Sequence, residues 1–453
     1  MSNRRAFLKF LAGSPLLAGA SSIIEALAQQ APPSVIDKAA DALDIFEFEA
    51  AARKVLPPAH WGYMATGVDG EDTLRANREG FNRYQLRTRR FVDVSRLDMS
   101  TDLFGMKLNS PIVLCPVGSQ KAFHPEGEVA VARAAKAKGL LQILSTQTSS
   151  SVEDVIKARG GPVWYQLYTT DSFDVTTKLV KRAEAAGCPV VAITVDLPNG
   201  RNTETATRFQ RQDTRVCANC HETAEGDLAN PLVGGGTAGK PMFAGIDMRG
   251  RAITSPSLTW EFIKRVKDIT KMKVLIKGLE TREDAALAVQ HGADGVIVSN
   301  HGGRASETGR ATIECVAEVV QGTGRRIPVV VDSGFRRGTD VLKALALGAQ
   351  AILLGESLEV GVGSVIFRAR LIAVDTHPVK VDAAIGITVG ELLQSRQFFG
   401  GERNPGSAER EDNDLAAAVG KIDRTSIRRV KRQWWSLRGG GASNEGKDRE
   451  GQK

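Results

Sequence analysis

Arg282-Glu283-Asp284-Ala285-Ala286-Leu287-Ala288-Val289-Gln290-His291-Gly292-Ala293-Asp294-Gly295-Val296-Ile297-Val298-Ser299-Asn300-His301-Gly302-Gly303-Arg304 holds a helix, its stop, a strand and a loop in one unit. Residues 282–290 carry a helical pattern, and His291-Gly292-Ala293 ends it with a glycine suited to the left-handed cap. Gly295-Val296-Ile297-Val298 is an apolar run that reads as a buried strand. The strand delivers an imidazole that can take a proton near neutral pH and a guanidinium that can grip a carboxylate by two parallel bonds. The glycines between them let the backbone turn sharply and approach a ligand. This loop points to a proton taken from, or beside, an anchored carboxylic acid. The bland alternative is a tight turn with a surface His and Arg.

The same unit recurs on either side. Apolar runs suited to buried parallel strands lie at 112–115, 141–144, 163–167, 190–195, 274–276, 328–331 and 351–354. Helical patterns intervene, as at 129–138, 176–186 and 339–347, and Lys138-Gly139, Ala186-Gly187 and Leu347-Gly348-Ala349 repeat the stop. Strands alternating with helices predict an α/β fold, here a (β/α)8 TIM barrel. An open doubly wound sheet ranks below it, because no Gly-x-Gly-x-x-Gly opens the first helix. Residues 36–102 read as a helical segment ahead of the barrel, with 72–81 its clearest amphipathic piece. Between Val195 and Val274 the chain spends more residues than one strand–helix unit needs. A long insertion after strand four, about 199–258, is therefore expected, of the kind that carries function or a partner contact.

A barrel gathers its catalytic groups from the C-terminal ends of several strands. Those ends carry Pro116-Val117-Gly118, Ser145-Thr146, Gln166 with Tyr168, Thr194 with Asp196, and Lys277. The remaining ends carry Ser299, His301 and Arg304, then Asp332-Ser333-Gly334-Phe335-Arg336, then Gly355. Polar groups at nearly every strand end converge on one mouth, a pattern a structural protein has no use for.

With these residues in place, 45–355 resembles the FMN-dependent L-2-hydroxy acid dehydrogenase and oxidase family (lactate, glycolate and mandelate enzymes). The matching pieces include Tyr63-Met64-Ala65-Thr66-Gly67 with Thr73-Leu74, and Gln120-Lys121-Ala122-Phe123-His124-Pro125-Glu126-Gly127. Tyr165-Gln166-Leu167-Tyr168, Thr194-Val195-Asp196, Lys277-Gly278, the His301 loop and Asp332-Ser333-Gly334-Phe335-Arg336-Arg337-Gly338 follow in order and spacing. The resemblance implies FMN as cofactor and oxidation of a lactate-like L-2-hydroxy acid to the 2-oxo acid. Electrons would then pass to oxygen or to a carrier, such as a cytochrome or quinone. It implies His301 as base, Asp196 as its partner, Tyr168 on the substrate oxygen, and Arg304 with Tyr63 on the substrate carboxylate. Lys277 would stabilise the reduced flavin, and Ser145, Gln166, Thr194 and Ser299 would line its ring. Val117 and Gly118 would approach the ring, Asp332 would meet the ribityl chain, and Gly334, Arg336 and Gly355 would lie towards the phosphate. A homo-oligomer, a tetramer by the same resemblance, is also implied.

Several positions depart from the family. Asn199-Gly200-Arg201-Asn202 replaces its Gly-Asn-Arg-like turn, making Arg201 the candidate for a second contact with the substrate acid. Gly355-Glu356 stands where the family has Gly-Arg, and a carboxylate there would repel phosphate. Gly118 sits where oxidases often have alanine, so a missing methyl would leave room beside the flavin. Residues 356–453 form a divergent basic tail that reads as partly disordered. These departures keep a second reading open: a flavin-deficient barrel acting as a periplasmic binding or haem electron-carrier protein.

The chain has 453 residues, 42% of them hydrophobic and 25% charged, as in soluble globular proteins. Its net charge of +8 comes with no zinc-finger, helix-turn-helix or RNA-binding signature, so a nucleic-acid partner is not expected. Asn3-Arg4-Arg5-Ala6-Phe7-Leu8-Lys9, a short apolar stretch and Ala26-Leu27-Ala28 follow the order of an export signal. The paired arginines resemble the twin-arginine type, so 1–28 is expected to be a signal peptide, 29–44 a linker and the mature protein periplasmic. Of the five cysteines, Cys115, Cys188 and Cys315 read as core thiols. Cys217-Ala218-Asn219-Cys220-His221 has the spacing of covalent haem c attachment, with His221 as iron ligand and Met242 or Met248 as a possible sixth. A disulfide between Cys217 and Cys220 is the bland alternative, with a metal site or no role as the third.

Overall fold

The computed structural model describes residues 36, 41–87, 91, 98–198, 200–215 and 239–355. The expected signal peptide, Cys217, Cys220, His221, Asn199, Glu356 and the basic tail lie outside the described residues.

In chain order the elements are α1 (Phe46–Val55), α2 (Pro58–Ala65), α3 (Asp72–Glu79), β1 (Thr101–Leu103), β2 (Met106–Leu108), β3 (Ile112–Leu114), α4 (Gly127–Lys138) and β4 (Leu141–Ser145). Then come α5 (Val152–Arg159), β5 (Trp164–Tyr168), α6 (Phe173–Ala185), β6 (Val190–Thr194), α7 (Glu204–Gln212), α8 (Glu261–Ile269) and β7 (Lys273–Leu279). The barrel finishes with α9 (Arg282–Gln290), β8 (Gly295–Val298), α10 (Thr312–Thr323), β9 (Val329–Val331), α11 (Gly338–Leu347) and β10 (Ala351–Leu354). Strands β3 to β10 pair in parallel, each with the next, and β10 returns to β3 to close the barrel. The expected (β/α)8 barrel is the observed fold. The helix stops work as read: Gly139, Gly187, Gly292 and Gly348 all have positive φ, between 64° and 110°.

Alternation along each strand sorts the side chains into two layers. One set, including Val191, Ile193, Val274, Ile276, Val296 and Val298, faces the helices. The other set, including Val113, Ile143, Trp164, Ala192, Leu275, Ile297, Val330 and Leu353, fills the barrel interior. Leu103, Leu108, Phe104 and Met106 pack against the interior set, with Phe104 and Trp164 rings 5.6 Å apart. The β1–β2 hairpin thus plugs the N-terminal end. The expected helical segment ends at Asp102, and no element is expected over 103–108; strands of three residues around a Phe104-Gly105 turn are too short to show a period.

In the insertion, α7 packs on α2, so close that a Cβ on Gly62 would lie 2.7 Å from Phe209 Cβ. Among the described residues no helix is long and apolar enough to cross a membrane.

Candidate active site

Two residues beyond six of these interior apolar side chains, the same alternation places a polar one. Ile143 leads to Ser145, Trp164 to Gln166, Ala192 to Thr194, Leu275 to Lys277, Ile297 to Ser299 and Val330 to Asp332. All six polar residues are buried. Because a parallel barrel presents every strand's C-terminal end on one side, these residues form a single rim.

The rim is hydrogen-bonded in two stretches. Ser145 Oγ donates to Gln166 Oε1 (3.0 Å), and Gln166 Nε2 donates to Thr194 Oγ1 (2.7 Å). Across from them, Lys277 Nζ donates to Ser299 Oγ (2.6 Å) and pairs with Asp332 Oδ2 at 3.1 Å. Burial works against the ammonium, but Asp332 and Asp196 outweigh it and raise the Lys277 pKa above the usual lysine value. This site therefore holds a fixed positive charge.

The next three residues after Asn300 turn through the left-handed region, His301 at φ 59°, Gly302 at 71° and Gly303 at 78°. For a histidine that conformation costs about 1–3 kcal/mol. Buried partners hold it there. Ser299 Oγ accepts from His301 N (3.1 Å), and Ser333 Oγ accepts from Gly302 N (2.9 Å). Asn300 Oδ1 accepts from Gly303 N (3.0 Å), and the Asn300 and Asn77 amides bond reciprocally at 2.8 Å. Glu307 caps α3 through the backbone amides of Asp72 (2.7 Å) and Thr73 (3.1 Å).

So seated, His301 Nδ1 lies 3.0 Å from Asp196 Oδ1, and Nε2 lies 3.2 Å from the Tyr168 hydroxyl. Burial lowers the His301 pKa, Asp196 opposes this, and Lys277 and Arg201 add to the lowering, so the resting imidazole is neutral. Burial also disfavours charge on Asp196, yet His301, Lys277 and Arg201 together keep it ionised, its pKa below the usual value. With Asp196 accepting from Nδ1–H, the lone pair sits on Nε2. Burial raises the Tyr168 pKa, so that phenol stays a proton donor. Room for Asp196 comes from Gly278, at φ 110°, where a Cβ would lie 2.6 Å from Asp196 Cβ.

The two candidate carboxylate anchors differ. Arg304 donates Nε to Thr66 O at 3.0 Å and Nη2 to the carbonyls of Tyr63 and Met64, closing the end of α2, with Cζ 5.4 Å from the Tyr63 ring centroid. It stands beside Tyr63, its expected companion at the substrate carboxylate, with Nε and Nη2 on backbone carbonyls. Arg201 is exposed, makes no hydrogen bond among the described residues, and is felt electrostatically by Tyr168, Asp196 and His301.

The room expected beside Gly118 is already filled. A Cβ there would meet Gln147 Cβ at 2.9 Å and the Tyr63 hydroxyl at 3.5 Å. Val117 is half-buried and its carbonyl accepts from Gln120 Nε2 (3.3 Å). Gly334 packs against the Asn77 carbonyl, Arg336 Nη1 donates to Phe335 O (3.0 Å), and Gly355 packs against Cys115. Cys115 is half-buried, while Cys188 and Cys315 are buried free thiols.

Asp196 Oδ2, Gln147 Nε2 and Gln120 Oε1 are buried without a hydrogen-bond partner. A buried polar atom left unpaired costs about 1–3 kcal/mol, which a ligand in the mouth would offset. A row of uncharged donors and acceptors facing a fixed ammonium suits a flat heteroaromatic ring that becomes anionic on reduction. The rim therefore fits FMN. No three His, Cys, Asp or Glu side chains gather to hold a metal among the described residues.

Listing strand ends reached the rim but not what seats it. Asn77, Gln147 and Glu280 were missed, while Asn300 and Ser333 stood in the quoted loops without a role. For Glu280 a signal existed, since it stands three residues past Lys277 at the same strand end.

Residues 52–364 match the family described as FMN-dependent dehydrogenase. The peroxisomal (S)-2-hydroxy-acid oxidase GLO4 of Oryza sativa subsp. japonica is 36% identical over 372 residues, covering 80% of this chain and 97% of that protein. The glycolate oxidase of Spinacia oleracea is 40% identical over 316 residues, covering 69% and 82%. A lactate oxidase structure from Pediococcus acidilactici superposes with a TM-score of 0.66 at 27% identity, covering 78% of this chain and 92% of that one. Mandelate oxidase superposes with a TM-score of 0.63 at 32% identity, covering 78% and 97%.

Proposed function

Because this chain belongs to the FMN-dependent dehydrogenase family, we propose that it oxidises a small L-2-hydroxy acid, lactate or a near relative, to the 2-oxo acid. The observation that carries this reading is the row Asp196–His301–Tyr168 beside the fixed charge of Lys277. FMN, when bound, would supply the oxidant, taking the two electrons and the second of the two hydrogens that the oxidation removes. Ser145, Gln166, Thr194, Ser299 and Lys277 would hold its ring.

His301 Nε2 takes the substrate's proton, and Asp196 stabilises the imidazolium that forms. Tyr168, kept as a phenol, donates to the substrate's hydroxyl oxygen. Arg201 holds the carboxylate from the solvent side, and Arg304 holds the end of α2 and the Tyr63 ring against the mouth. The relatives named above are oxidases, which supports oxygen as electron acceptor. A cytochrome or quinone is the second reading, favoured by the haem-like Cys217-Ala218-Asn219-Cys220-His221. Export and a periplasmic site of action are supported by Arg4-Arg5 and the segments that follow; a homo-oligomer fits the family.

The test is anaerobic addition of L-lactate to protein purified from the periplasmic fraction. Flavin absorbance should bleach, and His301→Gln should keep its flavin without bleaching. Undiminished turnover by His301→Gln rejects the base assignment, and activity confined to the cytoplasm rejects export.

A further inference from the structure

The chemistry above leaves unused the loop that follows α2, although that loop touches both halves of the mouth. Its inner end is buried. Val68 N donates to Gly303 O (3.1 Å), and Gly67 comes so close that a Cβ on it would stand 2.8 Å from the same oxygen. Gly303 lies between His301 and Arg304, so the loop is fastened to the turn that carries the base. Val68 O in turn accepts from Glu71 N (2.9 Å), closing a tight turn with Asp69 at φ 46°. Aspartate is among the few side chains that tolerate this left-handed conformation.

The outer end of the loop meets the insertion. Asp69 N donates to Asn202 O (3.0 Å), and Asn202 Nδ2 donates back to Asp69 Oδ1 (2.9 Å). Asn202 Nδ2 also reaches Glu204 Oε1 (3.2 Å) at the start of α7, and Glu204 Oε2 accepts from Arg208 Nη2 (2.6 Å). Asn202 directly follows Arg201, which is exposed and whose charge reaches Tyr168, Asp196 and His301. On the other side of Arg201, Gly200 turns at φ 75°, and a Cβ on it would meet nothing within 4 Å among the described residues. The Arg201 turn is therefore gripped from the Asn202 side. Two consecutive residues, Val68 and Asp69, bridge the base loop and that turn.

We propose that the Asp69–Asn202 pair positions Arg201, tying the substrate's carboxylate anchor to the loop that holds His301. This rests on reading Arg201 as the anchor and His301 as the base. In a 2-hydroxy acid the carboxylate is bonded directly to the carbon that gives up its hydrogen. Anchor and base must then keep a short, fixed separation, and a strap fastened to both supplies it. Loosening the strap weakens the grip on the acid and leaves the reacting groups as they are.

The experiment is steady-state kinetics of the flavin-loaded full chain with L-lactate. Asn202→Ala removes the side-chain bond and should raise KM about threefold to tenfold, with kcat changed by about twofold or less. Asn202→Asp sets a carboxylate against Asp69 and Glu204 and should raise KM further. Asp69→Ala should behave as Asn202→Ala does, whereas Asp69→Asn keeps an acceptor oxygen and the left-handed turn and should restore KM. That Asp69 comparison decides the matter if Asn202→Ala does not load flavin. In an Arg201→Gln background Asn202→Ala should add nothing, because the group it positions is gone. An unchanged KM in Asn202→Ala and Asp69→Ala, or losses that multiply in full with that of Arg201→Gln, overturns the role of the pair. A KM unchanged in Arg201→Gln itself refutes the anchor, and retained turnover in His301→Gln refutes the base.

Discussion

Asp196 and Asp332 stand past the ends of β6 and β9, each buried or nearly so and each beside a basic side chain, yet the two pairs do opposite things. At Asp332 the partner is Lys277, buried to the same degree, and the two carboxylates Asp332 and Asp196 hold its pKa above the usual lysine value. At Asp196 the partner is His301, whose proton burial strips away, leaving a carboxylate beside a neutral ring. One pair stores a fixed field for whatever lies in the mouth. The other stores a vacancy for a proton. The difference lies in the intrinsic basicity of the partner: burial overcomes an imidazole and cannot overcome an ammonium with two carboxylates beside it.

The largest effects should come from breaking each pair at its acid. Asp332→Asn takes from the buried Lys277 ammonium the carboxylate at 3.1 Å and leaves only Asp196 facing it, and should destabilise the fold by about 3–5 kcal/mol, read by urea or thermal unfolding. Asp196→Asn leaves a neutral imidazole with a neutral acceptor, so unfolding should change by about 1 kcal/mol or less. Its cost should appear in turnover, as a loss on the order of 10²–10⁴-fold, because the imidazolium loses its stabilising charge. Similar stability losses for the two variants would erase the distinction drawn between them.

The same contrast, an engaged group against an available one, separates the two arginines. Arg201→Gln should raise KM for the hydroxy acid about tenfold or more with little change in unfolding, since a charge-assisted contact of about 1.5–3 kcal/mol is lost only in the complex. Arg304→Gln should act first on stability, loosening the end of α2 by about 1–3 kcal/mol as buried carbonyls lose their donor. A KM effect confined to Arg304→Gln would return the carboxylate to it.

Period and punctuation made the barrel legible: alternation along the strands, a glycine stop after most barrel helices, and a polar residue at most strand ends. Those signals are local, and the barrel multiplies them. Lys277 and Asp332 were each read correctly as rim residues, but their pairing was not, because they lie on β7 and β9 with a whole strand between. Arg304 was read by its chemistry alone; that α2 offers it carbonyls depends on how an N-terminal helix docks. The space beside Gly118 is taken by Gln147, from the loop after the next strand. The Asn77–Asn300 clamp joins residues far apart in the chain, neither of them remarkable by itself. What the sequence hid were pairings between elements, and they are what hold His301 in its costly turn.

The smallest expected effect tests whether Glu280 sits between the two kinds of pair. Its folded pKa is raised to about 7 from an ordinary carboxyl value of 4.5, burial being the leading cause. A group with a raised folded pKa contributes stability that is complete below the unfolded value and fades as pH rises through the folded one. Wild-type protein should therefore lose stability between about pH 4.5 and 7 on this account, and Glu280→Gln, which has no proton to lose, should not. The two unfolding midpoints should converge near pH 5 and separate in favour of Glu280→Gln by pH 8. Because the carboxyl is only half-buried, solvent screens part of this, and the gap should be smaller than that for Asp332→Asn. A gap that stays constant from pH 5 to 8 would mean Glu280 keeps its charge throughout. It would then stand with Asp332 as part of a permanent field rather than with the titrating base.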